Sequence, residues 1–145
     1  MKKKDITIRF IQPDEIGLVI PIFSLINPSR SKKELTAMLD EMMKQGYQCA
    51  IAFYNEKCVG IIGMWILTKF YVGKHIEYDN FYVIPAFRHK GIGNQILELV
   101  NHYAKEQGCV AAELTCDILD DEGENFWVNL NHIAIGHRYQ KSLIS

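Results

Sequence analysis

The stretch Arg88-His89-Lys90-Gly91-Ile92-Gly93-Asn94-Gln95 says more about the fold than any other part of this sequence. The apolar, aromatic run before it predicts a strand, and apolar residues at helical spacing after it predict a helix. Glycines let the backbone approach a ligand closely, and the amides and dipole of a helix N-terminus attract anions. The stretch therefore predicts an anion-binding loop between a strand and a helix.

Two nucleotide-binding motifs do not match this loop. A Walker-type phosphate loop has a wider glycine spacing and a Lys-Ser/Thr pair at the helix start, whereas Lys90 precedes both glycines here and Asn94 follows them. A dinucleotide fingerprint requires glycine or alanine where this chain has Ile96, together with an alternating series of strands and helices. The sequence therefore disfavours both interpretations.

Periodicity and capping signals predict the element order β-α-α-β-β-β-α-β-α-β. Asp14 is the predicted N-cap of the first helix, which ends near Asn27, and Ser31 with Glu34 forms a capping box for the second. The helix after the glycine loop is expected to stop at Gly108. The predicted strands are 7–11, 49–53, 58–67, 76–83, 109–115 and 137–143, and a last helix is predicted over 120–130.

This order predicts the fold class. The strand, helix and strand within residues 76–115 imply one parallel crossover in a largely antiparallel sheet. The result is an α+β fold with a mixed sheet flanked by helices, and not a doubly wound nucleotide-binding fold. Since the sequence contains no repeat, low-complexity tract or linker, residues 1–145 are predicted to form a single domain.

Composition disfavours several functional classes. The 145 residues carry 16 basic and 17 acidic side chains, a balance that argues against nucleic-acid binding. No apolar stretch approaches the ~20 residues that a membrane span requires. The four cysteines form no C-x-x-C pair and no zinc-type spacing with histidine, so we expect reduced thiols, a cytoplasmic location and no metal site.

The loop resembles the acyl-coenzyme A site of the GNAT acetyltransferases, whose signature is Gln/Arg-x-x-Gly-x-Gly/Ala between a strand and a helix. Arg88, Gly91 and Gly93 satisfy this signature, and the element order and the run Tyr82-Val83-Ile84-Pro85-Ala86-Phe87 are also similar to the family. The resemblance implies the GNAT fold, with acetyl-CoA as cosubstrate bound through its pyrophosphate. The residues that it assigns to acetyl-CoA are Phe81, Tyr82, Val83, Arg88, His89, Lys90, Gly91, Ile92, Gly93, Asn94 and Trp127.

The resemblance also implies transfer of the acetyl group to a primary amine by direct attack. GNAT proteins carry a bulge in the strand before the loop, where the amide of Phe81 is expected to polarise the thioester carbonyl. Glu77 stands at the register of the general base in histone acetyltransferases, and Asp79 stands where polyamine acetyltransferases carry an acid. Because the amine must lose a proton, we expect Glu77 to be a base with a raised pKa and Asp79 to bind the amine or share that role.

The last helix departs from the GNAT pattern. Many members have a Phe-Tyr pair whose tyrosine protonates the leaving thiolate, whereas this chain has Phe126-Trp127, and an indole N–H is not an acid at neutral pH. The thiolate then leaves unprotonated, or Tyr139 or Cys116 supplies the proton. Asn131 replaces the usual glycine of the following turn and tolerates left-handed backbone. The departure also leaves open a second function, a non-catalytic acyl-CoA-binding module that acts as a sensor or docking domain.

The sequence does not choose between a small-molecule amine and a protein amine as acceptor. By resemblance, the acceptor contacts residues 24–33 and the closing strands. The carboxylates near the expected thioester position favour a cationic amine. A homodimer is also predicted, with the strands 58–67 and 137–143 contributing to its interface.

Overall fold

A computed structural model describes residues 5–144. Its strands are β1 (Ile6–Phe10), β2 (Gln48–Tyr54), β3 (Lys57–Lys69), β4 (Gly73–Val83) and β5 (Ala111–Leu114). Its α-helices are α1 (Ile20–Ile26), α2 (Lys32–Lys44), α3 (Ile92–Glu106) and α4 (Asp121–Asn129), and 3-10 helices cover Pro13–Leu18 and Pro85–Phe87.

The strands form one sheet in the order β1-β2-β3-β4-β5. Neighbours from β1 to β4 are antiparallel, while β5 lies parallel to β4 after the crossover through α3. This arrangement confirms the predicted mixed α+β sheet with helices at its flanks.

Alternating side chains give the sheet two buried faces. On one face, Phe23 of α1 and Leu39 of α2 pack with Ile51 in a hydrophobic cluster. On the other, α3 places Ile96 against Gly60, at a distance that leaves no room for a larger residue in β3 without a shift. Burial of such apolar surface is the main stabilising contribution in a domain of this size.

A bulge interrupts β4. The register with β3 shifts between Ile61 and Gly63, so that Asn80 and Phe81 together stand opposite one residue of β3. Asn80 has a left-handed φ of 65°, which asparagine tolerates better than most residues. The bulge implied by the family resemblance is therefore confirmed.

The bulge reverses the alternation of side chains along β4. Before it, Asp79 faces a pocket formed with α1 and α2. After it, Phe81 turns to the opposite face, where its ring lies against Gly93 of α3. Strict alternation would have placed Asp79 and Phe81 on the same face.

The start of the first helical segment differs from the prediction. Its N-cap is Gln12 and not Asp14, because Pro13 takes the first helical position, where its fixed φ fits and its missing N–H costs nothing. The backbone N–H of Gln12 donates to Glu15 Oε1 at 2.8 Å. The segment is a 3-10 helix followed by α1 and not one continuous helix. The capping box between Ser31 and Glu34 is confirmed.

The predicted last strand, 137–143, is wrong. Residues 132–144 have no regular secondary structure, although their apolar alternation is typical of a strand. A strand requires a partner for its backbone groups, and within the described residues this segment joins no ladder. Its side chains are correspondingly open to solvent: Tyr139 is 89% exposed and Leu143 93% exposed.

The chain divides into two compact units, the first ending at Glu113 and the second beginning at Leu114. The first contains β1 to β4 and α1 to α3, and the second contains α4 and the segment that follows it. The single domain over 1–145 stays a prediction. Within residues 5–144, no helix is both long enough and apolar enough to cross a membrane.

Gly63 tests the support beneath the bulge. A Cβ at Gly63 would overlap the hydroxyl of Tyr47, which is buried beside it. We expect Gly63→Ala to lower the free energy of unfolding by about 1–3 kcal/mol in denaturant titration, the usual cost of overpacking. Gly17→Ala is the control, since a Cβ there meets nothing within 4 Å. Equal stability of the two variants would contradict this account.

Candidate active site

The bulge is held by the side chain of Tyr47, the residue immediately before β2. The hydroxyl of Tyr47 donates to Asn80 Oδ1 at 3.0 Å. Burial, followed by the nearby Cys49 and Asp79, raises the pKa of Tyr47, so its hydroxyl stays protonated and can donate this bond. Tyr47 reaches Asn80 across Gly63, where any side chain would obstruct it. The local strand geometry thus depends on a contact between residues that are distant in sequence.

Glu77, the predicted base, lies in an ion-pair network. His75 Nε2 is 3.0 Å from Glu77 Oε2, and Lys69 Nζ is 3.4 Å from the same oxygen. Burial acts to raise the pKa of Glu77, but hydrogen bonds and charge from His75 and Lys69 outweigh it and lower that pKa below its ordinary value. The expectation of a raised pKa is therefore wrong, because sequence counting could not show these two partners.

His75 is a member of this network that the sequence analysis missed. Its side chain is fully buried, Nδ1 lies 3.1 Å from the Gly73 carbonyl, and Nε2 lies 3.8 Å from Glu113 as well as near Glu77. His75, Glu77 and Glu113 each have one side-chain atom that could ligate a metal ion, and these three atoms lie within 4.8 Å of one another. A histidine two residues before a glutamate on one strand shares its face, and this spacing was the available signal.

Asp79 has a different environment from Glu77. Its Oδ2 accepts a hydrogen bond of 3.1 Å from Trp65 Nε1, which holds the carboxylate in place. It lines a cavity of about 190 Å³ together with Asn80 of the bulge. The other lining residues come from α1, α2 and the segment between them: Phe23, Asn27, Arg30, Leu35, Met38, Leu39 and Met42. Of the two predicted carboxylates, Asp79 lines this cavity and Glu77 does not.

The glycine loop ends at the N-terminus of α3, as the sequence predicts. Gly91 is the N-cap, with a left-handed φ of 81° and open space around its missing side chain. The first-turn amides of a helix have no acceptor within that helix. Asn94 is exposed in this turn, whereas the side chain of Ile92 is buried, so Ile92 can offer a ligand only its backbone.

Gly93 also has a packing role, which the sequence alone does not reveal. A Cβ there would lie 3.0 Å from the Phe81 ring, so the glycine is needed for packing between α3 and β4 and not only for approach of a ligand. The bulge and the loop are therefore in direct contact.

The basic residues of the loop take different positions. Arg88 Nε donates to the Val83 carbonyl at 2.8 Å, and its guanidinium lies 5.1 Å from the centre of the Tyr82 ring. His89 has a left-handed φ of 61°, and both His89 and Lys90 are exposed. Arg88, which is also exposed, thus joins the loop to the end of β4.

A comparison with protein families decides the affiliation of this chain. The model described as "Acetyltransferase (GNAT) family" matches residues 19–131. The chain belongs to the GNAT acetyltransferase family.

Solved GNAT structures share the fold over nearly the whole chain. The aminoglycoside N-acetyltransferase AAC(6')-Iy in complex with CoA is 14% identical, with a TM-score of 0.80 over 94% of this chain and 95% of that one. The ribosomal-protein-alanine N-acetyltransferase of Brucella melitensis biovar Abortus 2308 is 16% identical, with a TM-score of 0.74 over 97% and 98%. Glucosamine-6-phosphate N-acetyltransferase of Arabidopsis thaliana is 18% identical, with a TM-score of 0.73 over 96% and 99%. Comparison with curated protein sequences found no match.

The second unit contains the departure from the GNAT pattern. The rings of Phe126 and Trp127 lie edge to face at 5.0 Å, and Trp127 is 5.2 Å from the ring of His132. Asn131 adopts a left-handed φ of 67°, which confirms that the turn survives the loss of its usual glycine. Burial, together with surrounding carboxylates, raises the pKa of the Cys116 thiol, so this thiol keeps its proton.

The lowered pKa of Glu77 predicts an acid-dependent contribution to stability. The folded protein stabilises the ionised carboxylate of Glu77, because Lys69 and His75 pair with it there. This contribution to the free energy of unfolding is fully present above the ordinary pKa of 4.5 and is lost as the pH falls through the lowered pKa of the folded state. We expect Glu77→Gln to melt at a lower temperature than the parent at pH 6, with a difference that narrows below pH ~4.5. Glu56→Gln, in the exposed turn between β2 and β3, is the control. A pH-independent difference for Glu77→Gln would contradict the ion-pair assignment.

Proposed function

We propose that this GNAT protein is an N-acetyltransferase that transfers the acetyl group of acetyl-CoA to a primary amine. The observation that carries the proposal is the position of the bulge. Asn80 of the bulge lines the same cavity as Asp79, and Phe81 of the bulge lies against Gly93 of the glycine loop. An acceptor amine and an acyl donor held at these two places would meet at one strand.

The loop suits the pyrophosphate of acetyl-CoA. Gly91 carries no side chain to block or cap the first-turn amides, and the helix dipole favours negative charge there. The exposed side chains of His89, Lys90 and Asn94 surround this turn. When bound, acetyl-CoA supplies an activated acetyl group as a thioester, and this chain holds its phosphates with amides and cations.

The strand supplies the groups that act on the acyl end. Tyr82 and Val83 continue β4 from the bulge toward the loop and are proposed to bind the pantetheine arm, although the Val83 carbonyl also accepts the bond from Arg88. The amide of Phe81 is proposed to donate to the thioester carbonyl oxygen, where negative charge develops during attack.

Asp79 is proposed to bind the acceptor ammonium group and to receive its proton. It lines the cavity, and Trp65 holds its carboxylate there. Glu77 as the general base stays a prediction, but its pairing with Lys69 and His75 and its lowered pKa make it a weaker acceptor of protons. The thiolate of coenzyme A is proposed to leave without an acid or with a proton from Cys116 or Tyr139. Trp127 is proposed to contact acetyl-CoA.

The second candidate function is an acyl-CoA-binding module without turnover. Trp127 at the position of the usual tyrosine favours it, since this side chain cannot protonate a thiolate. The carboxylate of Asp79 in an open cavity favours an enzyme instead. The two candidates share the loop and differ only in amine-dependent release of coenzyme A.

Association and location are further proposals. Ile133, Ile135 and Ile144 are 81%, 67% and 86% exposed, and a second copy of the chain is proposed to cover this apolar segment. A monomer mass in light scattering at micromolar concentration would remove the homodimer. The four cysteines are free thiols, which supports a cytoplasmic location.

Mutation of the loop tests cosubstrate binding. Gly91→Glu adds a negative charge and a side chain in left-handed backbone, where the phosphates are proposed to bind. We expect acetyl-CoA at a hundred times its Kd to stabilise the parent by about 2.7 kcal/mol and to leave the melting temperature of Gly91→Glu unchanged. Gly17→Glu, on the exposed 3-10 helix, should keep the shift. An undiminished shift in Gly91→Glu would place the binding site elsewhere.

Mutation of the two carboxylates tests their roles. We expect Asp79→Asn to lower kcat/KM for an amine by about 10²–10⁴-fold, the usual contribution of a general base, and Glu77→Gln to lower it much less. Raising the pH should partly restore Asp79→Asn, because more of the amine is then unprotonated. A larger loss in Glu77→Gln, with the same rescue at high pH, would assign the base to Glu77 instead.

A further inference from the structure

The cavity beside the bulge, defined by the nine residues given above, is lined mainly by apolar side chains. Most of its wall is apolar, and α2 contributes the largest part of it. Met38 and Met42 are flexible, polarizable side chains that adapt to ligands of different shape. Phe23 and Leu39 behind them belong to the buried core and give this wall a fixed base. Such a wall fits the apolar body of a ligand.

The cavity contains one charge of each sign. Among its lining residues, all of which lie in the described part of the chain, Asp79 is the one carboxylate and Arg30 the one cation. Arg30 belongs to the segment between α1 and α2, and its guanidinium is 3.5 Å from Glu34 on the exposed surface. At that distance and exposure the ion pair is weak, so it does not prevent the guanidinium of Arg30 from binding a ligand.

We propose that the acceptor is a primary amine with a single positive charge on an apolar body, and that an anionic group at its far end is favoured over a second amine. This inference rests on the proposed function. The ammonium group binds Asp79, the apolar body lies against the methionines of α2, and the far end meets Arg30. A second ammonium group there would face a like charge and would have no carboxylate among the lining residues to bind.

The proposed acceptor differs chemically from an aminoglycoside. The neighbours include aminoglycoside acetyltransferases, one of them solved with sisomicin, at 14–16% identity, where only the fold is shared. An aminoglycoside carries several amino groups and few apolar surfaces. A cavity with one carboxylate, one guanidinium and an apolar wall does not match such a ligand, because each buried ammonium group needs a partner.

Three primary amines with the same six-carbon chain and different end groups test the proposal. The substrates are hexylamine, 1,6-diaminohexane and 6-aminohexanoate, and kcat/KM is measured from coenzyme A thiol released. We expect hexylamine and 6-aminohexanoate to exceed the diamine by about tenfold, the effect of about 1.4 kcal/mol of like-charge repulsion. Shortening the alkyl chain should lower kcat/KM by about fourfold per methylene, as apolar burial predicts.

Arg30→Gln should reduce the preference for 6-aminohexanoate over the diamine to about twofold or less. Lys44→Gln is the matched control, since Lys44 is an exposed cation of α2 that forms an i,i+4 ion pair with Asp40 and does not line the cavity. It should leave the preference unchanged. A parent that prefers the diamine or an aminoglycoside, or an Arg30→Gln variant that keeps the full preference, would overturn the proposal.

Direct binding separates failure of this inference from failure of the enzyme proposal. If no amine supports thiol release, the enzyme proposal fails, and the methyl NMR signals of Met38 and Met42 still report acceptor binding. We expect hexylamine to shift these signals at concentrations about tenfold lower than the diamine requires. No shift with hexylamine, or equal affinity for both amines, would overturn the inference whatever the activity.

Discussion

The left-handed residue Asn80 is the constraint on which the site depends. A left-handed residue within a strand is unfavourable for most side chains, and here Tyr47 supplies a buried hydrogen bond that holds it. That bond requires Gly63 in the adjacent strand, where a side chain would block the tyrosine ring. Because the bulge reverses the faces of β4, it allows one short segment to present Asp79 to the cavity and Phe81 to the loop helix.

The two carboxylates of β4, Glu77 and Asp79, have different partners, which their spacing in the sequence does not reveal. Glu77 and Asp79 lie on the same face, but Glu77 has Lys69 and the buried His75 as charged or polarised partners. A paired carboxylate stabilises the folded chain and is a poor proton acceptor near neutral pH. Asp79 is held by Trp65 and lines the cavity, so the ion-pair network and the proposed chemistry involve different side chains.

Much of the fold could be predicted because its signals are local. The capping box at Ser31, the left-handed glycine that begins α3 and the parallel crossover follow from short-range patterns that tertiary packing here supports. The failures involve partners distant in sequence. Alternation over 137–143 predicts a strand, but this segment joins no ladder in the described residues. The pKa of Glu77 depends on contacts with His75 and Lys69 that sequence spacing does not encode. The bulge itself was implied by family resemblance and not by periodicity.

The central claim is that the bulge brings an acyl donor and an amine together for transfer. Its most direct test is the stoichiometry of one reaction, with released thiol and N-acetylated product measured together for acetyl-CoA and an excess of hexylamine. The account predicts amine-dependent thiol release, with one molecule of N-acetylhexylamine formed for each thiol. Binding of acetyl-CoA with no amine-dependent release, or thiol release without the amide product, would contradict it.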